Sequence, residues 1–251
     1  MEIIAPKLKW EKFEPQFGEW APKIKPFFDQ GGFEPIYEVL KERSRKGKKI
    51  APAAHLTFRA FRETPLSSMK VMIMGMCPYH TEIEEDGIKL QVADGIPMSC
   101  GNHSHYKAPS LEKLYGAFEE EFEKGLCLPC ERPQSLEYLC HQGVFLLNAA
   151  LTTEIGKPGI HVKLWRPFIK FLMEEVIADT GVPLVFLGAE AQYFASFGGP
   201  MQWKFELSHP ASAAYKGEKW DSMGVFTQVN KVIFDTNKYS IHWLALEEPP
   251  F

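Results

Sequence analysis

Four short apolar segments stand out along the chain, and each has the length of a strand. They are KVMIMG, GVFLLN, PLVFLG and KFELSH, at residues 70–75, 143–148, 183–188 and 204–209. Nearly continuous apolar runs of this length, with glycine, proline or polar residues at their ends, are typical of strands buried on both faces of a sheet. The pattern therefore predicts a sheet of four strands.

Helical patterns separate several of these strands. Segment 109–125, PSLEKLYGAFEEEFEKG, repeats apolar residues at helical spacing, and we expect Ser110 to cap this helix and Gly125 to end it. Segment 164–181 repeats the pattern, and FEPIYEVLKERSRKGKK at 33–49 predicts an amphipathic helix outside the sheet. Strands that alternate with helices predict an α/β fold with a parallel sheet.

Polar and reactive residues lie where the predicted strands end. In parallel sheets the carboxyl ends of the strands meet at one edge, and ligands bind beyond that edge. We therefore expect four loops to form a pocket there. The residues at the four strand ends are Cys77 to His80, Asn148, Gly188 and His209.

The composition limits the possible size, compartment and partners of the protein but does not indicate its function. The chain has 251 residues, 45% of them hydrophobic, which suffices for one large domain, and we expect a core over 20–243 and a loose tail over 244–251. The net charge of -4 is not the basic excess that is typical of nucleic-acid-binding proteins. It does not exclude a local basic face. The sequence shows no run of about 18 apolar residues and no secretory signal. An odd number of cysteines, five, favours reduced thiols in a cytoplasmic or nuclear compartment.

Taken in order, the strand ends resemble the motifs of the family 1 uracil-DNA glycosylases. That family reads G-Q-D-P-Y-H, L-L-L-N followed by L-T-V, V-F-x-L-W-G-S, and H-P-S-P-L-S. This sequence reads GMCPYH, FLLNAALTT, VFLGAEAQ and SHPASAAYKG. The resemblance spans roughly residues 20–243. It implies a three-layer α/β/α fold around a mostly parallel four-stranded sheet, and a pyrimidine base flipped out of DNA as the substrate.

The resemblance implies roles for three residues that match the family motifs. Asn148 would read the edge of uracil, because an amide matches one acceptor and one donor of the base. His209 would stabilise the charge that develops at uracil O2, as a neutral N–H donor does for an oxyanion. Tyr79 would crowd C5 of the base and so exclude thymine.

Some residues of the implied base pocket differ from those of the family, and others are expected to support the pocket without touching the base. Met76 lies in the loop that bounds the base, and Met98 in DGIPMSC stands where the family has a phenylalanine that stacks on uracil. A thioether packs on a ring more softly. His80 completes the loop and is expected to support the residues that touch the base. The segment 81–94, TEIEEDGIKLQVAD, is longer than in the family and is expected to form an extra loop over the pocket.

Cys77 is the departure with the greatest consequence. The family has an aspartate here, which orients the attacking water and balances the sugar cation, and a neutral thiol does neither well. A thiolate would supply negative charge only if neighbouring groups lowered its pKa. Three interpretations stay open: Cys77 is a tolerated replacement in a slower glycosylase, a nucleophile in different chemistry, or a mark of lost catalysis.

The implied DNA contacts are also altered. Ser110 and Gly188 match family positions that contact DNA, and Lys216 is a candidate cation. Ala211 and Ala213 stand where the family has a serine and the leucine that wedges into the base stack. Because an alanine offsets less of the unstacking cost, we expect the DNA to be single-stranded, mispaired or modified at the target.

The remaining cysteines and histidines suggest no firm ligand set. Cys127 and Cys130 form CLPC, and Cys140 with His141 follows, so a zinc ion or an iron–sulfur cluster is an alternative to reduced structural thiols. His103 and His105 are more typical of a polar loop. We expect no metal and no cofactor.

Three functions follow from these residues. The first is a diverged uracil-type N-glycosylase. The second is a DNA base hypermodification transferase of the phage type, in which Cys77 adds to C6 of thymine or 5-hydroxymethyluracil; Tyr79 counts against it, because a bulky C5 substituent needs room there. The third is an inactive DNA-binding or processivity module. A monomer with no membrane association is expected in each case.

Overall fold

A computed structural model describes residues 8–101, 106–122, 130–200 and 202–246. The helices are α1 Trp10–Phe17, α2 Ala21–Asp29, α3 Glu34–Arg45, α4 Arg59–Glu63, α5 Pro109–Phe122, α6 Glu137–Cys140, α7 Val162–Glu175, α8 Ala189–Gln192, α9 Pro210–Lys216 and α10 Val225–Asn237. The strands are β1 Ile50–Ala51, β2 Val71–Gly75, β3 Glu82–Glu85, β4 Ile88–Gln91, β5 Cys130–Glu131, β6 Val144–Asn148, β7 Thr153–Glu154, β8 Leu184–Leu187, β9 Lys204–Leu207 and β10 Ala245–Leu246.

The central sheet contains the four predicted strands in the order β6-β2-β8-β9, and all of its pairings are parallel. Helix α5 lies between β2 and β6 in sequence and α7 lies between β6 and β8. The two helices pack on opposite faces of the sheet, because their apolar residues belong to different core clusters. The chain therefore reverses direction across the sheet at the β2–β8 boundary, where this class of fold opens a crevice for ligands.

Each buried strand contributes to two cores, because successive side chains point to opposite faces. From β2, Met72 and Met74 pack with α1, α2 and α7, whereas Val71 and Ile73 pack with α5 and α10. The strand β6 divides its residues in the same way, with Phe145 and Leu147 opposite Val144 and Leu146. This arrangement is the three-layer α/β/α fold that the resemblance implied.

Both ends of the predicted core need correction. Phe17 is fully buried among aromatic rings that include Phe33 and Phe58, so the core begins before residue 20. At the other end, Leu244 is buried and β10 pairs with β5. The expectation of a loose tail from residue 244 is therefore wrong as far as residue 246, and residues 247–251 lie outside the described part.

The long segment 81–94 forms a hairpin rather than an irregular loop. Strands β3 and β4 pair antiparallel, and Asp86 and Gly87 between them have φ of 52° and 76°. Positive φ at both central residues fits a two-residue hairpin turn, and Asp-Gly is a preferred sequence for it. The hairpin is joined to β1 by the Gln91 amide, which donates to the Ile50 carbonyl at 2.9 Å.

The helix boundaries differ from the sequence prediction at two places. Helix α5 begins at Pro109, so Ser110 lies inside its first turn and is not its cap. Gly125 lies outside the described residues. Helix α7 begins at Val162 and ends at Glu175, and a short 3₁₀ turn continues to Asp179. Within the described ranges, no helix is long and apolar enough to cross a membrane.

Candidate active site

Two polar side chains from different strand ends converge on Gly75, the last residue of β2. A methyl group added at Gly75 would lie 2.8 Å from Asn148 Oδ1 and 3.5 Å from His209 Nε2. The register explains the first approach, because Gly75 lies directly opposite Asn148 in the parallel β2–β6 pair. Only glycine leaves space at this point, and the amide and the imidazole therefore face one small region.

The amide of Asn148 makes no hydrogen bond with another described residue. The residue is only 5% exposed, but its amide atoms are not among the fully enclosed polar atoms that lack a partner, so they stay in contact with the solvent of the site. The Asn148 amide is therefore a donor–acceptor pair that is free to bind a ligand.

His209 is held as a neutral imidazole whose Nε2 carries the proton. The Ala211 N–H donates to His209 Nδ1 at 3.1 Å, so Nδ1 is an acceptor and the hydrogen is on Nε2. Burial lowers the pKa of His209 to about 4, because the cation loses its hydration. Gly188 makes room for this residue: its φ is +85°, and a methyl group there would lie 3.1 Å from His209 Cβ.

Tyr79 is fixed by two hydrogen bonds. Its hydroxyl donates to the Met98 carbonyl at 3.1 Å and lies 3.0 Å from Ser110 Oγ, which must then act as donor. Burial raises the pKa of Tyr79, so the phenol stays neutral. Ser110 is buried as well. Its recorded contact is with Tyr79, which places it behind the base pocket rather than on an exposed face for phosphate.

A cavity of about 20 Å³ lies beside Asn148 and Tyr79. It holds about one water molecule, so it is an inner recess of the site rather than the space for a base. Sequence reasoning singled out Met98, but that side chain is 7% exposed and lies in a core cluster. The recess is lined instead by Ile96 and Pro97, which precede Met98 in the same motif.

Cys77 follows Gly75 at this strand end and remains a neutral thiol. The Gly159 N–H donates to Cys77 Sγ at 3.3 Å. Burial raises the pKa of the Cys77 thiol, and the Gly159 N–H and the nearby Thr153 side chain offset only part of that effect. A nucleophilic role needed a lowered pKa, so the structure counts against the transferase interpretation. Neither Thr153 nor Gly159 was singled out from the sequence.

Met76 and His80 flank the reactive part of the loop. Met76 lies against Gly159, where an added methyl group would be 3.5 Å from Met76 Sδ. The His80 carbonyl accepts a hydrogen bond from the Gly156 N–H at 2.8 Å. The segment 153–159 therefore supports the loop from behind, whereas the role expected for the His80 side chain stays a prediction.

Helix α9 does not expose Ala213, one of the residues predicted to contact DNA. Ala213 is 7% exposed and packs in the core cluster that includes α5, so it is not the residue that enters the DNA stack. The expectation for Ala213 is wrong because it falls on the buried face of α9. Tyr215 is 83% exposed and Lys216 is exposed beside it.

Cys100 and Cys140 are structural thiols outside the site. Cys140 is fully buried, and burial raises its pKa to about 12. Cys100 is buried and donates to Gln134 Oε1 at 2.9 Å. Within the described part of the chain, no cluster of three or more His, Cys, Asp or Glu residues could hold a metal. Cys127, His103 and His105 lie outside the described residues, as does the side chain of Cys130.

Comparison with known proteins identifies the family. The uracil-DNA glycosylase of Pseudomonas aeruginosa is 31% identical over 229 residues, which cover 89% of this chain and 92% of the relative. That of Psychromonas ingrahamii is 31% identical over 215 residues, which cover 84% and 93%. The chain belongs to the uracil-DNA glycosylase family. No protein-family model matches it.

Solved structures agree with the uracil-DNA glycosylase fold. The crystal structure of mimivirus uracil-DNA glycosylase superposes with a TM-score of 0.78 at 21% identity, covering 94% of this chain and 90% of that one. The UNG structure from Nitratifractor salsuginis gives a TM-score of 0.56 at 19% identity, with 88% and 96% covered. At these identities the likeness concerns the fold. The proposed roles of the site residues therefore rest on the distances and hydrogen bonds of this structure.

Proposed function

We propose that the protein is a uracil-DNA glycosylase that hydrolyses the N-glycosidic bond of uracil in DNA. The single observation that carries the proposal is the convergence of the free Asn148 amide and the His209 Nε2–H on the region in front of Gly75. An amide supplies the donor and acceptor that match the O4 and N3–H edge of uracil. The N–H of a neutral imidazole is the donor that a forming charge on O2 requires.

In the proposed reaction the bond between N1 of uracil and C1′ of the sugar breaks, and its electron pair leaves with the base. The negative charge spreads to O2, where His209 donates without giving up its proton. Water adds to C1′, its proton passes to solvent, and the products are an abasic site and uracil. Tyr79, fixed by Met98 and Ser110, stands at the wall that rejects a C5 methyl group.

Cys77 lowers the rate of this reaction without changing its course. A neutral thiol neither accepts the proton of the attacking water nor balances the positive charge on the sugar. General-base assistance contributes about 10²–10⁴-fold in other enzymes. We therefore expect a glycosylase that relies mainly on stabilisation of the leaving base by His209.

The test is excision from a single-stranded oligonucleotide with one uracil, read as alkali-sensitive abasic product. We expect product with the native chain and a loss of about 10²-fold in kcat for His209→Ala, because the donor to the oxyanion disappears. His242→Ala is the matched control, since His242 is exposed and its side chain takes no part in the site. Absence of product with the native chain at high enzyme concentration would refute the proposal and leave the binding-module alternative.

We further infer that the favoured DNA is single-stranded at the target. The buried Ala213 supplies no wedge to hold a duplex open. In its place α9 exposes the ring of Tyr215, followed in the chain by the exposed Lys216. Exposed aromatic rings with nearby cations are platforms for the bases of single strands, because every base offers a face for stacking.

A further inference from the structure

A second set of charged residues lies behind the base site and takes no part in the proposed chemistry. Asp94, the first residue of the DGIPMSC motif that contains Met98, is fully buried. One carboxylate oxygen accepts the Ile96 N–H at 3.0 Å. The other accepts from Ser99 Oγ at 2.7 Å and from the Gly101 N–H at 3.2 Å. One side chain thus binds the segment 95–101 at its beginning, middle and end.

Arg59 connects this carboxylate to two helices. Its guanidinium donates to Asp94 Oδ2 and to the Asp94 carbonyl, both at 3.1 Å. The same side chain donates to Glu63 at 3.2 Å and pairs with Glu137. Since Arg59 and Glu63 lie on α4 and Glu137 on α6, the segment is tied to rigid elements.

The segment that Asp94 holds also holds Tyr79. Its residue Met98 has a φ of 64°, a conformation that a side chain other than glycine seldom adopts, and its carbonyl accepts the hydroxyl of Tyr79. Gly95 lies so close to α4 that an added methyl group would be 2.8 Å from Arg59 Cβ. The position of the tyrosine ring therefore depends on a loop whose unusual backbone needs outside support.

We propose that Asp94 and Arg59 are positioning residues that set the discrimination between uracil and bases with a larger C5 group. The inference rests on the proposed function, and it concerns residues that touch neither base nor sugar. A buried ion pair adds little stability relative to apolar residues of the same size, so stability alone is a weak reason for it. The hydrogen bonds of this carboxylate go to the loop that fixes Tyr79, and that gives the pair a function in specificity.

The test compares Asp94→Asn with the native chain on uracil and on 5-methyluracil or 5-bromouracil in the same oligonucleotide. An amide at this position cannot accept both the Ser99 hydroxyl and the Gly101 N–H at one oxygen while also accepting from Ile96 and Arg59. We expect the ratio of kcat/KM for uracil to that for the larger base to fall about tenfold, which corresponds to one charge-assisted hydrogen bond. Arg59→Gln is expected to act in the same direction.

Ile233→Ala is the control for general destabilisation. Ile233 is buried in α10 and lines a separate cavity with Lys70 and Pro183, at the amino ends of the strands. We expect this variant to lower the melting temperature without changing the ratio. An unchanged ratio in Asp94→Asn, with equal losses on all bases, would overturn the proposal.

Hydrogen exchange separates this inference from the proposed function. In Asp94→Asn, the amides of residues 96–101 should exchange faster, whereas in Ile233→Ala they should not. If the native chain excises no uracil but the exchange result holds, the proposed function fails and the positioning of the loop stands. If these amides stay as protected in Asp94→Asn as in the native chain, the positioning role is wrong whatever the activity.

Discussion

At the scale of single residues, the proposed site combines two groups suited to reading a base with a thiol that is poorly suited to activating water. Asn148 and His209 present the hydrogen-bond groups that uracil requires, whereas Cys77 offers an uncharged thiol to the attacking water. The backbone around Cys77 is nevertheless suited to an anion, because the Gly159 N–H already points at its sulfur atom. The low expected rate is therefore a property of one side chain.

Replacement of Cys77 by aspartate should raise the excision rate. The carboxylate would accept from the Gly159 N–H, orient the water and balance the sugar cation, and we expect kcat to rise by about 10²-fold. Cys77→Asn has nearly the same shape without the charge and should give no such increase. Single-turnover excision of uracil measures both. A slower Cys77→Asp variant would show that another group already activates the water.

Removal of the Tyr215 ring should weaken action on single strands. We expect Tyr215→Ala to raise KM for a single-stranded uracil oligonucleotide about tenfold, since stacking on an aromatic side chain contributes about 1–3 kcal/mol per base. Phe234→Ala removes another exposed ring, from α10, and should leave KM unchanged. Faster excision from a uracil–adenine duplex than from the single strand would contradict the inferred preference.

At the scale of elements, the sequence predicts what depends on local pattern and misses what depends on distant partners. The four strands and their reactive ends follow from short apolar runs. Asp86-Gly87 between two alternating segments is a signal for the hairpin β3–β4, whereas the length of segment 81–94 alone predicts only an extra loop. In contrast, the hydrogen bond between Tyr79 and Ser110 joins residues 31 positions apart, and no local sequence pattern predicts it.

Two glycines that follow different elements offer a matched test of the strand-end geometry. Gly188 and Gly181 have φ of +85° and +70°, but an added methyl group meets His209 Cβ only at Gly188 and nothing within 4 Å at Gly181. Both alanine variants should lose about 1 kcal/mol of stability for the backbone conformation. Only Gly188→Ala should also lower kcat, because it displaces His209. Equal kcat in the two variants would contradict this close approach.

At the scale of the whole molecule, an acidic chain encloses a site that is neutral above about pH 5. The pKa values of His209 and His161 are both lowered, chiefly by burial. The folded state therefore binds fewer protons than the unfolded chain, in which histidine titrates near 6.5. By linkage, the stability contributed by His209 is complete above pH 6.5 and is lost as the pH falls towards 4.

This linkage predicts a measurable loss of stability in mild acid. With a pKa of about 4 for His209, the free energy of unfolding should be about 2 kcal/mol lower at pH 5 than at pH 7. Urea unfolding at the two pH values measures the difference, and His209→Gln should reduce it. Identical stability at both pH values in the native chain would show that the imidazole is not desolvated.

The thiol at the strand end also provides a site for chemical labelling. Among the cysteines whose side chains the structure describes, Cys77 is partly exposed, whereas Cys100 and Cys140 are buried. A maleimide or iodoacetamide label should therefore enter at Cys77 before these two, slowly because the thiol is neutral, and peptide mapping can assign the site. A base bound in front of Gly75 would shield that sulfur, so the rate of alkylation reports occupancy without any turnover.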